Sequence, residues 1–245
     1  MKTIRISIRC LLILALVAAS ALRLAAAEEC GIASAHALAT RAGCEILKAG
    51  GNAFDAAVAV AAALAVVEPF ASGIGGGGFF LLHRAADHFE VFVDARETAP
   101  SRATREFFAD DSATGKRKAS LEGPSAAGIP GEPAALDWVA GRYGKLPLAR
   151  SLAPAIRLAE RGFPADARYA AASAMREALL QTNAEAAAIF LDNGKAGAPG
   201  FVVIQPQLAR TLRMLAEHGG AAFYHGDFAR KLAQGVTSAG GLWEL

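Results

Sequence analysis

Cysteine is scarce: Cys10, Cys30 and Cys44 are the only three in 245 residues, and no two stand in a C-x-x-C pair. A cysteine-based metal site is therefore not expected. The five histidines (His36, His83, His88, His218, His225) form no H-E-x-x-H pattern, so no metal is expected. There is no G-x-S-x-G elbow to mark a serine nucleophile. Charged residues make up 20% of the chain and net charge is only +2, which leaves no basic footprint for nucleic acid. What the chain does have is apolar material, 53% of its residues, enough for one sizeable core and too much for a disordered segment.

The N-terminus stands apart from the rest. Lys2, Arg5 and Arg9 precede an apolar run over residues 11–22, and Ala25, Ala26 and Ala27 follow it. This is the pattern of a secretory signal peptide, residues 1–27, cut near Ala27. The run is shorter than the ~20 apolar residues that span a bilayer, so no stable membrane insertion is expected, and the mature protein should be secreted or periplasmic. Leaving out Lys2, Arg5, Arg9 and Arg23 lowers the net charge from +2 to −2. In an oxidising compartment Cys30 and Cys44 could pair, but Cys44 lies in a helical pattern and reads foremost as a small buried hydrophobe.

Apolar periodicity predicts a helix over residues 34–48, ended by Gly50 and Gly51. Asn52 and Asp55 have capping-box spacing ahead of residues 54–67, which are apolar on nearly every side and hence a buried helix. Residues 79–84 and 89–96 read as the strands of a hairpin. Residues 103–125, with the run DDSATGKRK, read as a solvated loop. Beyond it helices dominate, at about 132–143, over a stretch interrupted or restarted at Pro154, over an Ala-rich segment 168–191, and at 207–218 and 227–238. Between them DNGKAGAPG reads as a turn. There is no internal repeat.

Gly73, Gly75 and Gly78 satisfy G-x-G-x-x-G. A dinucleotide loop must follow a strand and open a helix, so that phosphate meets the helix N-terminus. Here the order is reversed: a helix precedes the glycines and a strand follows. The glycines instead predict a backbone that passes close to other chain, where a Cβ would clash. No nucleotide, and no other cofactor, is expected.

One motif is chemically pointed. In VDARETAP, Arg96 and Glu97 end an apolar strand, where side chains project from a rigid base. They read either as a salt-bridged strand end or as a substrate grip, with the planar guanidinium holding a carboxylate and Glu97 an ammonium.

The stretch from ASAHALATRAGCEILKAGGNAFDAAVAVAAALAVVEPFASGIGGGGFFLL, through VDARETAP and AAGIPGEPAALDWVAGRYGKLPLARSLAPAIRLAERGF, to FYHGDFARKLAQGVTSAGGLW resembles the large-subunit half of the γ-glutamyltranspeptidase family, which includes glutathione hydrolases and some cephalosporin acylases. The resemblance implies an α+β fold, the αββα sandwich of an N-terminal-nucleophile hydrolase. Of that sandwich this chain would carry mostly a helical layer and a β-hairpin, with residues 28–245 the N-terminal portion of the large subunit. It also implies a self-cleaving precursor. Its small subunit begins with a Thr that attacks the γ-glutamyl amide of glutathione and related compounds, giving an acyl-enzyme that water or an amine resolves. By the same resemblance Arg96 binds the α-carboxylate of the γ-glutamyl group and Glu97 frames the site. None of the eight threonines stands in the family's Thr-Thr-His-type motif, so no catalytic nucleophile is assigned and the fragment alone is expected to be inactive. Three other readings stay open: a secreted non-catalytic remnant or γ-glutamyl-binding module, one chain of a split enzyme, or a cephalosporin acylase-like amidase.

Overall fold

Asn52 opens the central helix. In the computed structural model, which describes residues 30–109 and 120–245, its Oδ1 accepts the N–H groups of Phe54 and Asp55 while Asp55 Oδ2 accepts the Asn52 N–H. This is the reciprocal capping box that the spacing predicts. The helix, α2 (Ala53–Val67), has Val58, Ala59, Ala62, Ala63 and Val66 fully buried. Its many alanines let neighbours approach closely. Around it pack α1 (Ala37–Lys48), α4 (Glu132–Tyr143) and α5 (Leu148–Arg161). On the far side of α5 lies α8 (Pro206–His218), joined to it by an Arg213–Glu160 ion pair and by the buried Leu152, Leu212 and Leu215. The signal-peptide and DDSATGKRK readings lie outside the described residues. Among the described residues no helix is long and apolar enough to cross a membrane.

The hairpin forms as predicted. Strand β1 (Gly78–Arg84) pairs antiparallel with β2 (Phe89–Ala95), Leu82 opposite Val91 and Phe80 opposite Val93 on the inner face. Leu81, opposite Phe92, is on the outer face, where Phe79 and Phe92 stack at 5.4 Å.

Four expectations need correction. Pro154 does not interrupt its helix: α5 runs on from Leu148 to Arg161 with Pro154 inside and buried. Burial of Leu152, Ala155 and Ala159 against α2 and α8 outweighs the lost backbone bond. Residues 168–191 are two helices, α6 (Ala167–Leu180) and α7 (Ala184–Phe190), because Asn183 Oδ1 caps Ala186 N–H and starts the second. Within 103–125 there is local order, with α3 (Arg105–Ala109) and a 3-10 turn at Pro124–Ala126. Finally, Cys30 and Cys44 are each disulfide-bonded, so Cys44 is more than a buried thiol.

Four two-residue strands add two small ladders. Strand β3 (Phe163–Pro164) pairs with β6 (Val202–Val203), and β4 (Leu191–Asp192) pairs with β5 (Lys195–Ala196). The latter pair makes a tight hairpin of the predicted turn segment, with Asn193 and Gly194 at φ 49° and 79°, the left-handed pair that a two-residue connection needs. The chain closes with α9 (Ala221–Tyr224) and α10 (Gly226–Ser238).

Candidate functional site

Four segments converge where β2 ends. The first is the turn after α2: the Glu68 carbonyl accepts from Ala71 and Ser72 N–H, at 2.9 and 2.8 Å. Its buried carboxylate pairs with Arg168 Nη1 at 2.9 Å, and the Arg168 guanidinium lies 6.0 Å from the Phe70 ring centroid. The turn is thereby pinned to α6. The second segment is the glycine run, residues 73–78. The third is the strand end, residues 94–98, and the fourth is residues 128–132, which lead into α4.

Close packing holds for only part of the glycine run: Gly73, Gly75 and Gly78, the three of the G-x-G-x-x-G spacing, have room for a Cβ, and the tight position is Gly77. A Cβ on Gly77 would overlap the Ala95 carbonyl oxygen and come within 3.0 Å of Arg96 Cα and Glu97 N. A Cβ on Gly131 would overlap the same carbonyl. Hydrogen bonds knit the three segments together. The Gly76 carbonyl accepts from Gly131 N–H at 2.9 Å and Glu132 N–H at 3.1 Å. Thr98 and Ile129 exchange both backbone bonds, at 3.1 and 2.8 Å. Tyr224, from α9, donates its hydroxyl to the Pro130 carbonyl and accepts Ala134 N–H, which fixes the start of α4.

On this frame stand Arg96 and Glu97. The Arg96 side chain is 70% exposed, and its Nε lies 4.0 Å from Glu97 Oε2. Its backbone N–H is held by Asp94 Oδ1 at 3.0 Å. Glu97, half-buried, lines an open cavity of about 310 Å³ with Pro69, Phe70, Ser72, Gly73 and Gly76. Arg96 does not line that cavity, so a molecule gripped by both residues would sit across its rim. A larger apolar groove of about 380 Å³, between Phe70 and α6, shares Pro69 and Phe70 with it but offers Arg176 as its one charged wall.

Glu132 is the residue that sequence reasoning missed. It is 8% exposed and lines a further cavity of about 200 Å³ with Ala61, Leu64 and Phe80, one that shares Ser72, Gly73 and Gly77 with the Glu97 cavity. Burial pushes its carboxyl up to about 7, and the negative charge of Glu97 adds to the shift. Its place after Pro130 and Gly131 at a helix start was visible in the sequence, but helix-start acids are usually exposed.

Comparison with known proteins follows the same elements. The glutathione hydrolase proenzyme of Escherichia coli is 40% identical over 217 residues, covering 88% of this chain and 37% of that protein. The proenzyme of the same name from Bacillus subtilis strain 168 is 39% identical over 86% of this chain and 36% of that protein. The present chain thus spans under two fifths of the length of these curated relatives. Among solved structures, the γ-glutamyltranspeptidase of Helicobacter pylori superposes with a TM-score of 0.82 at 35% identity, over 88% of this chain and 62% of that one. The described helices and hairpin are part of that αββα architecture. Since the γ-glutamyltranspeptidase family model matches residues 39–245, a span that includes every segment of the site, the chain belongs to the γ-glutamyltranspeptidase family.

Proposed function

We propose that the Arg96–Glu97 strand end grips the α-amino-acid head of a γ-glutamyl compound such as glutathione, and that the whole protein hydrolyses or transfers the γ-glutamyl group. The observation that carries this reading is the pairing of an exposed guanidinium with a half-buried, cavity-lining carboxylate on adjacent residues of a rigid frame. The guanidinium fork matches a carboxylate through two parallel N–H donors. Glu97 supplies the opposite charge for the ammonium on the same carbon.

The chemistry would come from a partner chain, a small subunit cut from the same precursor. Its N-terminal Thr hydroxyl attacks the γ-amide carbonyl while the α-amine, with a pKa near neutrality, takes the proton. The C–N bond breaks, the amine leaves with that proton, and the ester is opened by water or by an acceptor amine. Residues 28–245 would form the N-terminal part of the large subunit after signal-peptide cleavage near Ala27, in the periplasm or outside the cell. The 245 residues alone lack the family's Thr motif and should be inactive.

The test is a chimaera in which residues 39–245 replace the matching segment of the Escherichia coli relative, assayed on γ-glutamyl-p-nitroanilide. Arg96→Ala should raise KM by roughly 100-fold, the loss of a bidentate charged contact, and Arg96→Lys by roughly 10-fold. An unchanged KM in Arg96→Ala, or turnover by the 245-residue chain alone, would refute the proposal.

A further inference from the structure

Glu97 and Glu132 both lie against the glycine run, at different glycines. A Cβ on Gly76 would come within 3.1 Å of Glu97 Oε1, and one on Gly78 within 3.9 Å of Glu132 Oε2. The cavities that the two residues line share Ala71, Ser72, Gly73 and Gly77, and the charge of Glu97 is felt at Glu132. Among the described residues the Glu132 side chain has neither an ion pair nor a hydrogen bond, although it is 8% exposed. Such a group holds its proton to higher pH than a solvated carboxyl does, and a cation brought near it favours release of that proton.

Among the described residues the surroundings hold no such cation. Facing Glu132 are Glu97 from the segment after β2 and Tyr224 from α9, whose own ionisation is opposed by burial and by the charge of Glu132. Helix α2 and strand β1 present Ala61, Leu64, Phe79 and Phe80. Asp137, on α4 itself, lies against Gly219 and Gly220. Arg96 is beside Glu97, at 4.0 Å from that carboxylate.

We propose that Glu132 is a positioning residue for the ammonium pocket: a ligand cation entering the Glu97 cavity favours release of the Glu132 proton, adding a second negative charge near Glu97. No bond to the ligand forms, and the proton goes to solvent. The inference rests on the reading of Glu97 as the ammonium partner. It makes cation binding tighten as pH rises through neutrality, because binding is linked to proton release.

The test follows the Glu132 carboxyl carbon by NMR in the 245-residue chain, selectively labelled at glutamate, across a pH titration. Glu132 should titrate near neutrality in the free chain, and Glu97→Gln should move its midpoint acidward by roughly one pH unit, the size expected when one nearby like charge is removed. Methylammonium chloride, against sodium chloride at equal ionic strength, should move the midpoint the same way. L-glutamate should do so while also shifting the Arg96 guanidinium signal, and it should bind several-fold tighter at pH 8 than at pH 6 in the native chain but equally in Glu132→Gln. A Glu132 midpoint indifferent to Glu97→Gln or to methylammonium would overturn the inference. If methylammonium moves Glu132 while L-glutamate leaves Arg96 and Glu97 untouched, the coupling stands and the γ-glutamyl reading falls.

Discussion

Asp55 and Lys145 are joined across 90 residues of chain, the Lys145 N–H donating to Asp55 Oδ2 at 2.9 Å. The same carboxylate accepts from Asn52 N–H, and its Oδ1 takes Leu146 N–H at 3.3 Å. Asn52 Nδ2 in turn donates to the Tyr143 carbonyl at 2.6 Å. A helix cap thus doubles as the clasp between α2 and the α4–α5 connection. Asp55 is fully buried, so its charge is supported by these backbone donors alone among the described residues.

Replacing Asp55 with Ala should therefore cost about 3 kcal/mol or more, since three donors lose a charged acceptor in the interior. Asp55→Asn should cost less than Ala but still destabilise, because its amide nitrogen would face a donor. Urea unfolding of the three chains checks the order; equal midpoints would show that the clasp is dispensable.

Glu132 makes stability depend on pH in the reverse of the usual carboxylate sense. Its carboxyl is raised in the folded chain from 4.5 to about 7, so between those values the folded state holds a proton that the unfolded state has lost. The contribution is fully present below pH 4.5 and is lost as pH rises through about 7, by up to about 3 kcal/mol. Glu132→Gln has no proton to lose. Relative to the native chain it should gain stability from pH 5 to pH 8, and parallel pH profiles in thermal unfolding would contradict the assignment.

The glycine run offers an internal control. Gly77→Ala drives a methyl into the Ala95 carbonyl and should destabilise by about 3 kcal/mol, beyond the usual range for surface changes. Gly75 has nothing within 4 Å of its Cβ position, so Gly75→Ala should change stability by no more than ~0.5 kcal/mol. Similar losses in both would mean that the run is held by chain flexibility and not by close packing.

The outer face of the hairpin is apolar and open. Phe79, Leu81 and Phe92 are 54%, 77% and 61% exposed. The isolated chain should self-associate through this face. Leu81→Lys with Phe92→Thr should shift its sedimentation toward monomer without lowering the unfolding midpoint; unchanged association would place the sticky surface elsewhere.

Local signals carried much of the fold. The capping box at Asn52 and Asp55, the hairpin and the buried Ala-rich helix each follow from patterns within a few residues, because hydrogen-bond geometry and side-chain period are local. The order helix, glycine run, strand is the order the structure has, and residue order in four motifs was enough to point to the family. Where the sequence misled, a distant partner decided. Pro154 stays helical because α2 and α8 bury its neighbours, and the long Ala-rich segment breaks because Asn183 caps a new helix. Arg96 and Glu97 were legible as a pair, since a charged dipeptide at an apolar strand end stands out. Glu132 was not: its burial exists only because β1, α2 and the strand end meet around residues 73–78, and desolvation is a property of the assembled neighbourhood, which no single stretch of sequence contains.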